Sequence, residues 1–212
     1  MNKLTFSKYS AVGFVSILFL LHIINTTVNP TWQPISEYAL GEFGWLMNLA
    51  FILLGCSFAF SGMFLIQKFT NIGSKIGGIL LLLASVGNFL AGFFNTDPIT
   101  TSPENITVIG QIHSGAAGLL GLMIIATIFV TIQFYKQPSL KPFKISILLT
   151  TTLVWLAELI LVGGMGYYLS KTNGMITEDT PIGWYGRIVI VLCAVWCYVC
   201  ANNLQKANFQ RT

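Results

Sequence analysis

Six long apolar runs, separated by short polar segments, dominate the pattern of this chain. They cover residues 10–28, 44–66, 76–94, 112–135, 145–169 and 184–204. Each is close to the roughly 20 residues that a helix needs to cross a membrane, and each is too long for a strand. The short alternating segments of a transmembrane barrel are absent from the sequence. The pattern therefore predicts an all-α protein in which residues 1–212 form one six-helix transmembrane domain.

The composition agrees with a membrane protein. Hydrophobic residues make up 54% of the chain and charged residues only 8%, with a mean hydropathy of +0.74. Soluble domains carry about 25% charged residues, so this chain has too few to cover a soluble surface. The net charge of +4 comes from basic residues spread over short connections, which predicts no nucleic-acid partner. The partner that we expect is membrane lipid.

Basic residues collect in alternate connections, which indicates the orientation. Nine of the 11 fall on one predicted side: Lys3, Lys8, Lys68, Lys75, Lys136, Lys141, Lys144, Lys206 and Arg211. Six of the seven acidic residues fall in the opposite loops: Glu37, Glu42, Asp97, Glu104, Glu178 and Asp179. The positive-inside rule therefore predicts a multi-pass protein with both termini in the cytoplasm.

The first outer loop, residues 30–45, is chemically the richest connection. It contains two prolines, two carboxylates and no Lys or Arg, and Trp32 and Trp45 bracket it. Amphipathic rings of this kind are typical of the membrane surface. We expect this loop to form an ordered cap over the outer end of the bundle.

Polar side chains fall at one predicted depth beneath this cap. The candidate catalytic residues at the outer interface are Ser36, Glu37, Asp97, His113 and Arg187. The candidate binding residues are Trp32, His22 and Asn88, with Glu158 deeper, near the middle of its helix. Ionised residues in a membrane face the bundle and find partners, so we expect Arg187 to pair through two hydrogen bonds with Asp97 or Glu37. A carboxylate beside His113 would orient the imidazole as a base, and we expect Asp97 to do so.

Each residue also has a purely structural interpretation. The Arg187 pair could tie loops to helices, His22 could be a hydrogen-bonded core residue, and Ser36 could cap a helix. Cys193, Cys197 and Cys200 are better explained by packing than by a soft metal. With two histidines in the chain, we predict no metal site, and the residues identify no cofactor.

The sequence contains small-residue pairs but none of several common functional motifs. The pairs Ser114/Gly118 and Ala117/Gly121 favour close helix contact in membranes. The sequence contains no phosphate-binding loop, dinucleotide fingerprint, HExxH or Gly-x-Ser-x-Gly motif.

Four motifs together resemble the bacterial and archaeal membrane proteins called "domain of unknown function 998". They are Pro34–Met47 (Pro-Ile-Ser-Glu-Tyr-Ala-x-Gly-x-x-Gly-Trp-Leu-Met), Phe94-Asn95-Thr96-Asp97-Pro98, Gly110-Gln111-Ile112-His113 and Gly186-Arg187. The resemblance covers nearly the whole chain and implies an integral protein of the bacterial inner (plasma) membrane. It brings no established activity, and Gly186 stands where the family usually has Gln.

Three functions remain open from the sequence, and enzyme status is undecided. The first is binding or modifying a lipid or isoprenoid-like small molecule at the outer cluster, with Arg187 holding an anionic head group and His113 and Asp97 transferring protons. The second is a proton-coupled transporter that uses Glu158. The third is a non-catalytic scaffold or assembly factor. The apolar cytoplasmic halves of the helices argue against transport.

Overall fold

The computed structural model describes residues 2–172, 174 and 176–209, and these residues form helices and no strand. The seven α-helices are α1 (Lys3–Ile24), α2 (Gly44–Lys68), α3 (Ile72–Phe93), α4 (Val108–Gly118), α5 (Leu120–Lys136), α6 (Lys144–Lys171) and α7 (Ile182–Phe209). Short 3-10 helices occupy Ile35–Leu40, Pro103–Asn105 and Lys141–Phe143. Arg211, which contributed to the orientation prediction, lies outside the described residues.

Six helical units are long and apolar enough to span a membrane, and α4 and α5 together make one of them, Val108–Lys136. The predicted all-helical, six-span class is therefore confirmed. The observed helix ends differ from the predicted ones, because side-chain caps determine where a helix begins and a hydropathy pattern does not detect caps. Asn2 accepts from the backbone of Leu4 and starts α1 at Lys3, seven residues before the predicted start. Asn71 likewise accepts from the Ser74 amide over 2.8 Å and starts α3.

The helices close into a bundle in which α2 packs between α1 and α3, α3 packs on α4 and α5, and α7 joins α6 to α1. The start of α1 and the end of α7 lie at the same end of the bundle, where Gln205 donates to Thr5 over 3.2 Å. We call this the terminal end. The opposite end carries the loop of residues 25–43, which we call the roof. Backbones touch between α2 and α3, since a Cβ on Gly78 would lie 2.8 Å from the Gly62 carbonyl oxygen.

Candidate functional site

A cavity of about 380 Å³ lies beneath the roof, between α3, α4, α6 and α7. Its walls are mostly apolar or small, including Phe51, Ala91, Ile124, Leu161 and Val189. Five residues from the sequence prediction line it: Trp32, Ser36, Asn88, His113 and Glu158. The cavity is thus an apolar chamber with a few polar groups, which is the usual composition of a small-molecule site.

The cavity opens sideways between α4 and α6. Ala117, Gly118 and Gly121 line it and are also exposed on the surface of the bundle. A Cβ on Gly118 or Gly121 would meet no other atom within 4 Å. Within the described residues, α4 packs on α3 and α5 whereas α6 packs on α5 and α7, with no extended contact between α4 and α6. This opening faces the side of the bundle, where lipid would lie.

Within the described chain, these small residues do not form the predicted helix contact. The pairs Ser114/Gly118 and Ala117/Gly121 favour close backbone approach in general, but here Ala117, Gly118 and Gly121 line the opening. The fourth span is also interrupted beside them, where the turn at Leu119 separates α4 from α5 and the Leu119 amide donates to Ala116 at 3.1 Å. Irregular backbone at membrane depth is tolerated where it lines a cavity, as it does at this point.

His113 is held in one orientation by a backbone carbonyl. Its Nδ1 lies 2.7 Å from the carbonyl oxygen of Phe94, and because a carbonyl can only accept, Nδ1 carries the proton. The ring is 4% exposed and contacts the Phe51 ring edge-on, with centroids 5.8 Å apart. In a neutral imidazole this arrangement leaves Nε2 as an acceptor, and no hydrogen bond to Nε2 is found among the described residues. His113 therefore offers the cavity a basic nitrogen.

The other polar lining residues also keep hydrogen-bonding capacity. Asn88 donates from Nδ2 to the Ala84 carbonyl over 2.9 Å, which leaves its side-chain oxygen as an acceptor. Ser36 lies in the roof helix Ile35–Leu40, which has Pro34 at its N-cap position, so the alternative that Ser36 caps this helix is wrong. Glu158, half-buried near the middle of α6, lines the chamber from the other side.

Arg187 fastens the roof to α7. Its Nη1 donates to the carbonyl oxygens of Gln33 at 2.6 Å, Pro30 at 3.1 Å and Gly183 at 3.0 Å. Its guanidinium carbon lies 5.6 Å from the centre of the Tyr38 ring. The side chain is 3% exposed. None of the hydrogen bonds found in the described chain joins Arg187 to a carboxylate, so the predicted pairing with Asp97 or Glu37 is wrong.

His22 completes the attachment of the roof. Arg187 donates from Nε to His22 Nε2 over 2.9 Å, and His22 Nδ1 lies 2.7 Å from the Leu18 carbonyl oxygen. Since an arginine can only donate and a carbonyl can only accept, the imidazole is neutral with its proton on Nδ1. His22 is therefore a structural acceptor at this site and does not line the cavity.

Glu37 and Asp97 hold the loops of the roof end separately. Glu37 accepts from the side-chain amide of Gln33 and from the Ile99 amide at 2.7 Å. Asp97 accepts from the Thr107 amide at 2.7 Å and its hydroxyl at 3.0 Å. Thr107 in turn caps α4. The expected contact between Asp97 and His113 does not form, because each is bonded elsewhere.

The nine predicted residues thus divide into two groups. Five line the cavity, whereas His22, Glu37, Asp97 and Arg187 hold the roof and the neighbouring loop. Their functional roles stay predictions. Sequence reasoning missed Tyr38, 1% exposed beneath Arg187, and Gly183, where a Cβ would lie within 2.6–2.8 Å of three roof carbonyls. The only feature of the sequence that could have identified Gly183 is its position four residues before Arg187.

Comparison with known proteins places the chain in a family. The sequence fits the family model described as "Protein of unknown function (DUF998)" over residues 10–202. No curated protein and no solved structure matches the chain. The match includes all nine of the residues discussed above.

Proposed function

Since this chain belongs to the DUF998 family of proteins of unknown function, we propose a function from its cavity: the binding of a lipid or isoprenoid-like molecule within the bundle. The observation that carries the proposal is the lateral opening. A chamber of about 380 Å³ reaches the size of small-molecule sites, roughly 300–1,000 Å³. Its opening between α4 and α6 lies on the side of the bundle that lipid would cover. An apolar molecule would therefore enter from the membrane without crossing water.

The shape of the site suits a molecule with a polar end and an apolar chain. His113, Asn88 and Ser36 would bond the polar end beneath the roof. The apolar part would lie along Ile124, Leu161 and the gap at Gly118. Of the candidate catalytic residues, His113 and Ser36 are the two that line the cavity, so any chemistry on a bound molecule would fall to them.

The orientation is part of the proposal. The terminal end would face the cytoplasm of a bacterial cell and the roof would face outward across the inner membrane, as the distribution of basic residues indicates. Fusions to the C-terminus test this: a fluorescent protein should be bright and alkaline phosphatase inactive. An active phosphatase fusion would reverse the orientation.

Filling the cavity tests the binding function. Gly118→Leu would add a bulky side chain at the opening of the chamber, at a lining residue whose Cβ would meet nothing within 4 Å. Gly115→Leu is the matched control, since Gly115 has the same free space on the same helix but does not line the cavity. The measurement is mass spectrometry of the apolar molecules that copurify with each protein.

We expect the wild type and the Gly115→Leu protein to retain a bound molecule and the Gly118→Leu protein to lose it. Leucine is favoured over glycine in helices by up to about 1 kcal/mol, so neither variant should lose stability, and melting temperatures check this. Equal retention by all three proteins would show that the cavity is not the site. If none of the three proteins, purified from native membranes, retains a bound molecule, a scaffold role is favoured.

A further inference from the structure

We propose that the bound molecule has an uncharged, hydrogen-bond-donating head group, such as the hydroxyl of a prenyl alcohol, and not a phosphate. This inference rests on the proposed function and adds the class of ligand. It depends on which charged groups reach the cavity and on the direction in which the polar groups can hydrogen-bond.

No Lys or Arg of the described chain lines the cavity. Arg187 is close in sequence to the lining residues Gly183 and Gly186, but its Nη1 and Nε are occupied by three carbonyls and His22. Its Nη2 is buried without a hydrogen-bond partner among the described residues, and Arg187 is not one of the residues that line the chamber. Arg187 could turn toward a ligand only by releasing the roof, so the sequence-based assignment of an anionic head group to Arg187 is not supported.

A phosphate in this chamber would have no positive partner. Moving an ionised group from water into apolar surroundings is costly unless it is paired and hydrogen-bonded. The acidic residue among the lining side chains is Glu158, which can only add repulsion when it is ionised. Charge therefore disfavours prenyl phosphates and phospholipid head groups.

Two lining residues, His113 and Asn88, present acceptors that need a donor, whereas Trp32, Ser36 and the second amide hydrogen of Asn88 can donate. His113 has a proton on Nδ1, bonded to Phe94, so in the neutral imidazole Nε2 accepts a hydrogen bond from a partner. Asn88 has one amide hydrogen committed to Ala84, and its oxygen can only accept. Ser36 can do either. A hydroxyl both donates and accepts, so it satisfies this set, whereas an ester or ether oxygen would leave His113 and the Asn88 oxygen without a donor.

Three probes with the same chain and different head groups test this inference. They are geranylgeraniol, geranylgeranyl monophosphate and geranylgeranyl amine, and the measurement is the Kd of each for the full-length protein in the same detergent. The variants are His113→Leu, Asn88→Leu and, as the control outside the cavity, Gly115→Leu. The alcohol should bind at least about tenfold more tightly than the phosphate, a difference of about 1.4 kcal/mol.

His113→Leu and Asn88→Leu should each reduce this preference for the alcohol, and Gly115→Leu should not. Having two independent variants keeps the test informative if one of them fails to fold. Tighter binding of the phosphate would overturn the inference while leaving the proposed function intact. Tighter binding of the amine, lost in Glu158→Gln, would make Glu158 a counter-ion and would also overturn it. Failure of all three probes to bind would instead remove the proposed function itself.

Discussion

Arg187 donates a hydrogen bond from Nε to Nε2 of His22 over 2.9 Å, although 165 residues separate the two in the chain. This bond joins the first and last membrane spans directly beneath the roof. The His22 ring also lies 5.2 Å from the Tyr38 ring and 6.4 Å from the Trp184 ring. Two residues that the sequence suggested as functional thus hold the roof in place over the cavity.

A double-mutant cycle should measure this fastening. His22→Ala and Arg187→Ala should each lower the free energy of unfolding, and their effects should be coupled by about 1.5–3 kcal/mol, the value of a hydrogen bond to a charged group. Chemical unfolding in detergent micelles gives the four stabilities. As a control, Arg187→Ala combined with Thr107→Ala should be additive within about 0.5 kcal/mol, because the two sites share no partner. Additivity of His22→Ala with Arg187→Ala would show that the contact contributes nothing.

Two glycines on α7 should respond in opposite ways to a single methyl group. A Cβ on Gly183 would lie 2.6 Å from the Pro30 oxygen and 2.7 Å from the Gln33 oxygen, the same two carbonyls that Arg187 binds. Gly183→Ala should therefore destabilise by at least the roughly 1–3 kcal/mol of an overpacked core. A Cβ on Gly186 would meet nothing within 4 Å, so Gly186→Ala should raise the free energy of unfolding by about 0.5–1 kcal/mol. Melting temperatures compare the two, and a stable Gly183→Ala protein would contradict the close contact of roof and helix.

The architecture of this protein could be predicted from sequence because it depends on length and polarity alone. A run of apolar residues such as 44–66 can be satisfied in a membrane only as a helix, since every backbone group must be bonded internally. The family, too, followed from four quoted motifs. Helix starts such as Lys3 and Ile72 were missed because single side chains, Asn2 and Asn71, set them.

The sequence predicted several residues that line the cavity, but it did not predict the hydrogen-bond partners of the candidate residues. Depth along the helices placed His113 and Asn88 in the outer part of the bundle and Glu158 deeper, and all three line the cavity. The partners were wrong because Arg187 and His113 are bound by backbone carbonyls. Every residue has such a carbonyl, so no sequence pattern marks the ones at Gln33 and Phe94. The same is true of Gly118, because a small residue can allow contact or create space, and only the packing decides which.

Asp97 should be needed for stability and not for ligand binding. Its carboxylate bonds the amide and hydroxyl of Thr107, and a Cβ on Gly110 would lie 2.1 Å from its Oδ2, so it is packed against the start of α4. Asp97→Ala should lower the free energy of unfolding by about 1–3 kcal/mol and leave the Kd of a bound prenyl alcohol unchanged. Glu104→Ala, at an exposed acid of the same loop, should change neither quantity. A large rise in Kd at unchanged stability would restore the predicted link between Asp97 and His113.

Glu158 should not serve a proton pathway through the membrane. Toward the terminal end, the polar side chains of the neighbouring helices bond one another: Thr131 lies 2.7 Å from Thr151, Trp196 donates to Thr151 at 2.8 Å and Trp155 donates to Thr127 at 3.2 Å. These contacts are short and end at an indole N–H or at the Ile124 carbonyl, neither of which passes a proton on, so they form no continuous relay among the described residues. Liposomes containing the protein should therefore acidify no faster than empty ones under an imposed gradient, with Glu158→Gln indistinguishable from wild type. A proton flux that Glu158→Gln abolishes would instead favour the transporter function.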